Sequence, residues 1–203
     1  MSLISQLAGE AAIETPKPKP NHAVEAVKVI PYDASTDPNA EVMLPWLWNR
    51  LKEDGLVDLY FPNNPAPFVA FVRMMSGGLN VFLATTQDEE GNVGKLIGFL
   101  TWEHLNFGGA KTAMAGFIFL KEFWDAHISK AAAHALMTHL FENTEVEVAV
   151  GNVAEKNRLA SLFLAGIGWQ KVGKIPGMQQ YNGERTNANL WCMTKEDFYR
   201  GQG

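Results

Sequence analysis

Two groups of polar residues stand where their types and spacing could do chemistry. Glu103 and His104 close an expected strand, and a carboxylate or imidazole in such a position can take a proton directly or through one water. A solvated strand end accounts for the pair equally well. His127, Ser129 and Lys130 lead into the strongest helical pattern of the chain, with Ser129 as a suitable N-cap. A helix N-terminus presents unpaired N–H groups and the positive end of the macrodipole, which favour a nearby anion, and a hydroxyl and an ammonium there would add to it. His134 and His139 fall on the same helix at a five-residue offset, hence on different faces, which argues against a shared metal site. The single cysteine, Cys192, offers no ligand cluster, and no metal is expected.

A scaffold must bring these residues together. Residues 24–30 alternate as a strand, 42–52 repeat as a helix stopped near Gly55, and a proline-rich break follows at 62–67. Residues 68–75 read as a short helix ended by Gly77 and Gly78, 79–85 as a strand and 88–94 as a turn. Two central strands, 95–105 and 112–121, are joined through Gly108 and Gly109 in a hairpin-like connection. The alanine-rich helix at 129–142 sets Ala132, Leu136 and Leu140 on one face. Strand 145–150, helix 157–167 closed by Gly168, and strands at 169–174 and 189–193 complete the order. The pattern predicts an α/β fold with a mixed, mostly antiparallel central sheet of six to seven strands and helices on both faces.

Size and charge exclude several function classes. A chain of 203 residues, 47% hydrophobic and 19% charged, has room for one core of ordinary size. Residues 23–200 are therefore expected to form one domain behind a tail at 1–22, where Pro16, Pro18 and Pro20 alternate with Lys17 and Lys19 and favour an extended segment. Net charge is −5 with scattered Lys and Arg, which leaves no footprint for a phosphate backbone, so nucleic acid is not an expected partner. The first residues lack a basic n-region and an apolar stretch long enough for a signal peptide, and no window approaches about 18 uninterrupted apolar residues. Neither standard export nor a membrane partner is expected, and cytoplasm is the default location. Trp46, Trp48, Tyr60, Phe61, Phe68 and Phe71 cluster in the N-terminal helical region, where core packing accounts for most of them.

The blocks EFWDAHISKAAAHALMTHLFE at 122–142, EVEVAV at 145–150 and NRLASLFLAGIGW at 157–169 resemble, in their joint spacing, the core of the GNAT N-acetyltransferases. The branch that modifies protein N-termini and related amines is the most similar. The resemblance implies acetyl-CoA as co-substrate, an amine as acceptor, direct transfer in a ternary complex, and a splayed pair of parallel strands that admits the pantetheine arm. In that family a loop patterned as Gln or Arg, two residues, Gly, one residue, Gly or Ala wraps the CoA pyrophosphate at a helix start. The matching positions here carry Trp124, His127 and Ser129. Glycine lets backbone approach phosphate closely, so His127 implies a different loop path or an imidazole contact to the phosphate.

Further along, Asn157 matches an asparagine that the family uses near the pantetheine arm. Leu164 stands where many members place a tyrosine that protonates the departing thiolate, and a leucine donates no proton. The resemblance assigns carbonyl-polarising backbone to strand 112–121, with the amides of Ile118, Phe119 and Leu120 as candidates, and puts Glu103 and His104 near the acceptor amine as candidate bases. Segments 55–67, 105–111 and 175–188 would set acceptor choice, and a homodimer is compatible with family habit. His127 and Leu164 equally motivate a second expectation, a GNAT-fold module that binds CoA or a partner without turnover. An unrelated α/β protein is a third.

Overall fold

The computed structural model of the protein describes residues 26–61, 66–88, 90–107, 110–124 and 127–201. The expected tail at 1–22, the connection through Gly108 and Gly109 and most of the 62–67 break lie outside the described residues. Seven strands form one sheet: β1 (Ala26–Tyr32), β2 (Asn80–Gln87), β3 (Val93–Phe107), β4 (Ala110–Phe119), β5 (Val148–Ala154), β6 (Gln170–Tyr181) and β7 (Glu184–Thr194), in the spatial order β1-β2-β3-β4-β5-β7-β6. Only β4 and β5 pair in parallel; every other neighbouring pair is antiparallel. Helices α1 (Ala40–Glu53), α2 (Val57–Tyr60) and α3 (Pro67–Arg73) separate β1 from β2. Helix α4 (Ile128–Asn143) joins β4 to β5, α5 (Arg158–Gly166) joins β5 to β6, and α6 (Lys195–Arg200) follows β7. The fold is thus the expected mixed α/β sheet. No helix among the described residues is long and apolar enough to cross a membrane.

Strand alternation sorts the side chains onto two faces. The register sets Phe82, Leu100 and Phe117 side by side on one face and Leu83, Phe99 and Ile118 on the other. The first face is covered by α4 and α5: His139 packs on Phe82 with ring centroids 4.7 Å apart, and Phe163 meets Phe117 and Phe119 at 6.0 and 5.6 Å. Ala132, Leu136 and Leu140 of α4 are fully buried, as their four-residue spacing requires. The second face is covered by α1, α2 and α3. Phe71 meets Phe99 at 6.1 Å and gathers Trp48, Phe61 and Phe68 around it, whereas Trp46 faces solvent.

The C-terminal hairpin departs from expectation. Strands β6 and β7 extend through 175–181 and 184–188, where the sequence suggested a loop. Asn182 and Gly183 take φ of 51° and 78°, the two left-handed positions of a type I′ turn, whose twist matches that of the flanking strands. The Asn-Gly pair was therefore the decisive signal, and the glycines, glutamines and proline around it masked it. Strand β5 likewise runs on to Ala154 through Gly151 and Asn152.

Replacing Phe71 by alanine should cost about 3–5 kcal/mol, because a fully buried ring leaves a cavity among rigid aromatic neighbours. Val42→Ala, at an exposed position of α1, should stay within about 0.5 kcal/mol of wild type. Urea unfolding of both variants checks the contrast.

Candidate functional site

Strands β4 and β5 pair at three positions only, Thr112 with Val148, Ala113 with Ala149 and Met114 with Val150. Beyond them the strands part, although β4 continues to Phe119 and β5 to Ala154. The buried Trp169 ring touches both strands on the face covered by α4 and α5. It stands edge-on to Phe117 at 5.9 Å and lies 3.3 Å from where a Cβ on Gly151 would sit. Any side chain at Gly151 would push this ring away.

A cavity of about 330 Å³ opens in the split and is lined from both faces of the sheet. Thr101, Glu103, Met114 and Asn152 line it on the face of α1 to α3, together with Gln179 and Gln180 of β6. Phe117, Phe163, Leu164 and Trp169 line it on the opposite face, with Asn157 where α5 begins. Leu164, at 5% exposure, contributes an apolar part of this wall.

Backbone direction alternates along β4. The Leu120 N–H donates to the Ile97 carbonyl at 2.9 Å, so Leu120 and, two residues back, Ile118 turn their amides toward β3. Phe119, by the same alternation, turns its amide away from β3, to the side of β5. Of the three expected carbonyl-polarising amides, those of Ile118 and Leu120 are thus turned to β3, a phase that an all-apolar strand sequence could not have supplied. The Ile118 side chain still lines the cavity. The Phe119 carbonyl accepts a hydrogen bond from the Trp124 indole at 2.9 Å, a contact the sequence did not suggest.

The remaining expected site residues divide. Glu103 lines the cavity, but His104 points to the opposite face by alternation, its ring 4.9 Å from that of Trp102. His127, not Ser129, holds the N-cap position of α4, and Ser129 lies buried in the first turn. Lys130 turns toward α5: its Nζ lies 3.2 Å from where a Cβ on Gly166 would sit, over a helix end that carries partial negative charge. It lines a second cavity of about 460 Å³ with His134 and Asp197 rather than the cleft. Residues 125 and 126, inside the expected pyrophosphate loop, lie outside the described residues. Asn157 is the N-cap of α5, its Oδ1 accepting from the Ala160 N–H at 3.1 Å. Among the described residues no group of three or more His, Cys, Asp or Glu is placed to hold a metal ion.

Two features hold the far wall. Lys174 and Asn187 donate to the Glu155 carboxylate at 2.5 and 2.6 Å, and their hydrogen bonds hold its carboxyl below the usual range. Strand β6 bulges between Ile175 and Gln179, with Gly177 at φ 61°. The Gly177 N–H donates to Asn187 Oδ1 at 3.1 Å and its carbonyl accepts from Arg185 Nε at 2.8 Å. The extra residues curl the end of β6 over the face of α1 to α3, where it meets α2. Gln179 Nε2 there donates to Asn152 Oδ1, and Asn152 Nδ2 to Met114 Sδ at 3.6 Å. The sequence marked 175–188 as acceptor-setting without naming Gln179 or Gln180; the Pro-Gly pair inside a strand was the available sign of a bulge.

Asn157→Ala should lower stability by about 1 kcal/mol through loss of the cap, with Asn157→Asp retaining most of it; chemical denaturation reads the difference. Because the folded-state pKa of Glu155 is depressed, its contribution is present above the ordinary carboxylate range and is lost as pH falls through the depressed value. Lys174→Met should move the Glu155 titration upward, as followed by carboxyl-carbon NMR.

No family model matches this sequence, and no curated protein matches it. Solved structures do. A probable GNAT-family acetyltransferase from Chromobacterium violaceum superposes with a TM-score of 0.67 at 14% identity, covering 93% of this chain and 98% of that one. RimL, a ribosomal alpha-N-protein acetyltransferase in complex with coenzyme A, gives 0.63 at 14% identity over 83% and 94%. A spermidine/spermine N-acetyltransferase from Vibrio cholerae gives 0.64 at 12% identity over 88% and 99%. The parted strands, the helices that follow them and the seven-stranded order thus make up the fold of the GNAT acetyltransferases.

Proposed function

We propose that the protein is an acyl-CoA-dependent N-acyltransferase that transfers acetyl from acetyl-CoA to an amine. The observation that carries this reading is the cavity passing through the sheet where β4 and β5 part, open to a different set of residues on each face. The cofactor would enter from the α4 and α5 side, with its phosphates at the start of α4 near His127 and its pantetheine arm beside Asn157. A chain of amide groups fits a split whose edge includes the Phe119 N–H. Ser129 and Lys130 would support the phosphate end only through the helix N-terminus and net charge, given their orientations. The solved complex of RimL with coenzyme A supports this choice of ligand.

Acetyl-CoA supplies an activated carbonyl and a thiolate leaving group. On the protein side, Glu103 takes the proton released as the amine nitrogen replaces sulfur on the acyl carbon. The Phe119 N–H stabilises charge on the carbonyl oxygen. Water protonates the thiolate, because Leu164 offers nothing to do so. Leu164, together with the Trp124 hold on the Phe119 carbonyl, also favours a second reading, a module that binds acyl-CoA without turnover.

Calorimetry with acetyl-CoA and a turnover assay over an amine panel separate the two. Saturable binding should be abolished by Ala160→Trp, which fills the cleft beside α5, and weakened by His127→Ala. Glu103→Gln should leave acetyl-CoA affinity unchanged and lower kcat by about 10²-fold or more. Binding without acetylation of any amine selects the module, and no binding at about millimolar acetyl-CoA overturns both readings.

A further inference from the structure

Among the described residues lining the cavity, Glu103 is the one charged side chain, and it is exposed. The wall around it, on the face of α1 to α3, is built from Leu59, Thr101, Met114, Gln179 and Gln180. The two glutamines differ in their commitments. Gln179 is spent on Asn152, and Asn152 on Met114. The Gln180 carbonyl oxygen is buried and meets no donor among the described residues. A buried acceptor without a protein donor is met by a donor from outside the chain, water or an arriving ligand group. The β6 bulge, pinned by Asn187 and Arg185, is what carries Gln180 to this position.

We propose, resting on the acyltransfer reading above, that Gln180 and Glu103 together select a monoamine as acceptor: one primary amine on an uncharged, largely apolar body. An arriving ammonium brings three donors and one positive charge. Gln180 Oε1 takes one donor, and the Glu103 carboxylate matches the charge and then receives the proton. Leu59 and Met114 offer apolar surface to the body. A polyamine brings a second ammonium that finds no second acid among the described residues of the wall. An acidic acceptor brings a carboxylate that meets no cation and lies beside Glu103, a like charge.

The test is calorimetric binding of phenethylamine, spermidine and free glutamic acid to the full chain saturated with CoA, in wild type, Gln180→Leu and Gln180→Glu. Thermal melting and CoA affinity serve as checks that each variant is folded. Phenethylamine should bind at 1:1 and more tightly than the other two. Gln180→Leu should weaken it about tenfold or more without changing CoA affinity, and Gln180→Glu should shift the preference toward spermidine by a similar factor. The proposal is overturned if spermidine or glutamic acid binds wild type as tightly as phenethylamine. It is equally overturned if Gln180→Leu binds phenethylamine as wild type does, or if no amine binds. Amine binding in the expected order without acetyl transfer leaves the selection standing and overturns the acyltransfer reading alone.

Discussion

Parallel pairing that lasts for three residues and then stops is the constraint on which the rest of this structure depends. Where β4 and β5 part, each loses its neighbour's ladder on one side, and backbone groups that would be buried in a continuous sheet must be met in another way. Parallel strands also leave the sheet at the same end. The helices that follow them, α4 and α5, therefore begin at the same end of the two strands, α5 with Asn157 on the rim of the cavity.

The split can persist because the two layers flanking the sheet are anchored independently of it. Phe71 and its ring neighbours lock α1 to α3 onto one face, while Phe163 and Trp169 hold α5 against Phe117 and Phe119 on the other. Neither cluster needs continuous pairing between β4 and β5. The glycine at position 151 leaves room for Trp169, whose ring would have to give way slightly to a Cβ there, so the ring rests close against β5.

The elements were largely legible in the sequence, because helix periodicity and apolar strand runs survive without knowledge of tertiary context. The alanine-rich α4, the two central strands and α5 with Asn157 at its start were read from local pattern alone. Of the neighbours Glu103 and His104, Glu103 lines the cavity and His104 faces the other way, since consecutive strand residues part in this manner and the sequence does not say which of the two faces inward. The amide phase along β4 was equally invisible: Ile118, Phe119 and Leu120 are interchangeable in apolar character, and only the hydrogen bond from Leu120 to Ile97 fixes which of them turn to β3. Lys130 depended on a rotamer choice toward Gly166 that spacing cannot reveal. Gln179 and Gln180 reach the site through a bulge in β6, a tertiary feature written in sequence only as a proline and a glycine.

That bulge acts on the outer rim of the sheet as well as on the cavity. Among the described residues strand β6 has no partner beyond it in the sheet order, and a long, straight rim would invite another chain to add itself by backbone pairing. Here the rim is broken near its middle: Pro176 lacks an N–H, Gly177 spends both its backbone groups on side chains of β7, and the exposed Lys171 and Lys174 punctuate the run before it. The bulge that brings Gln179 and Gln180 to the cavity therefore also interrupts the run of rim backbone that a second chain could pair with, along a strand that leaves Val172, Ile175 and Met178 exposed.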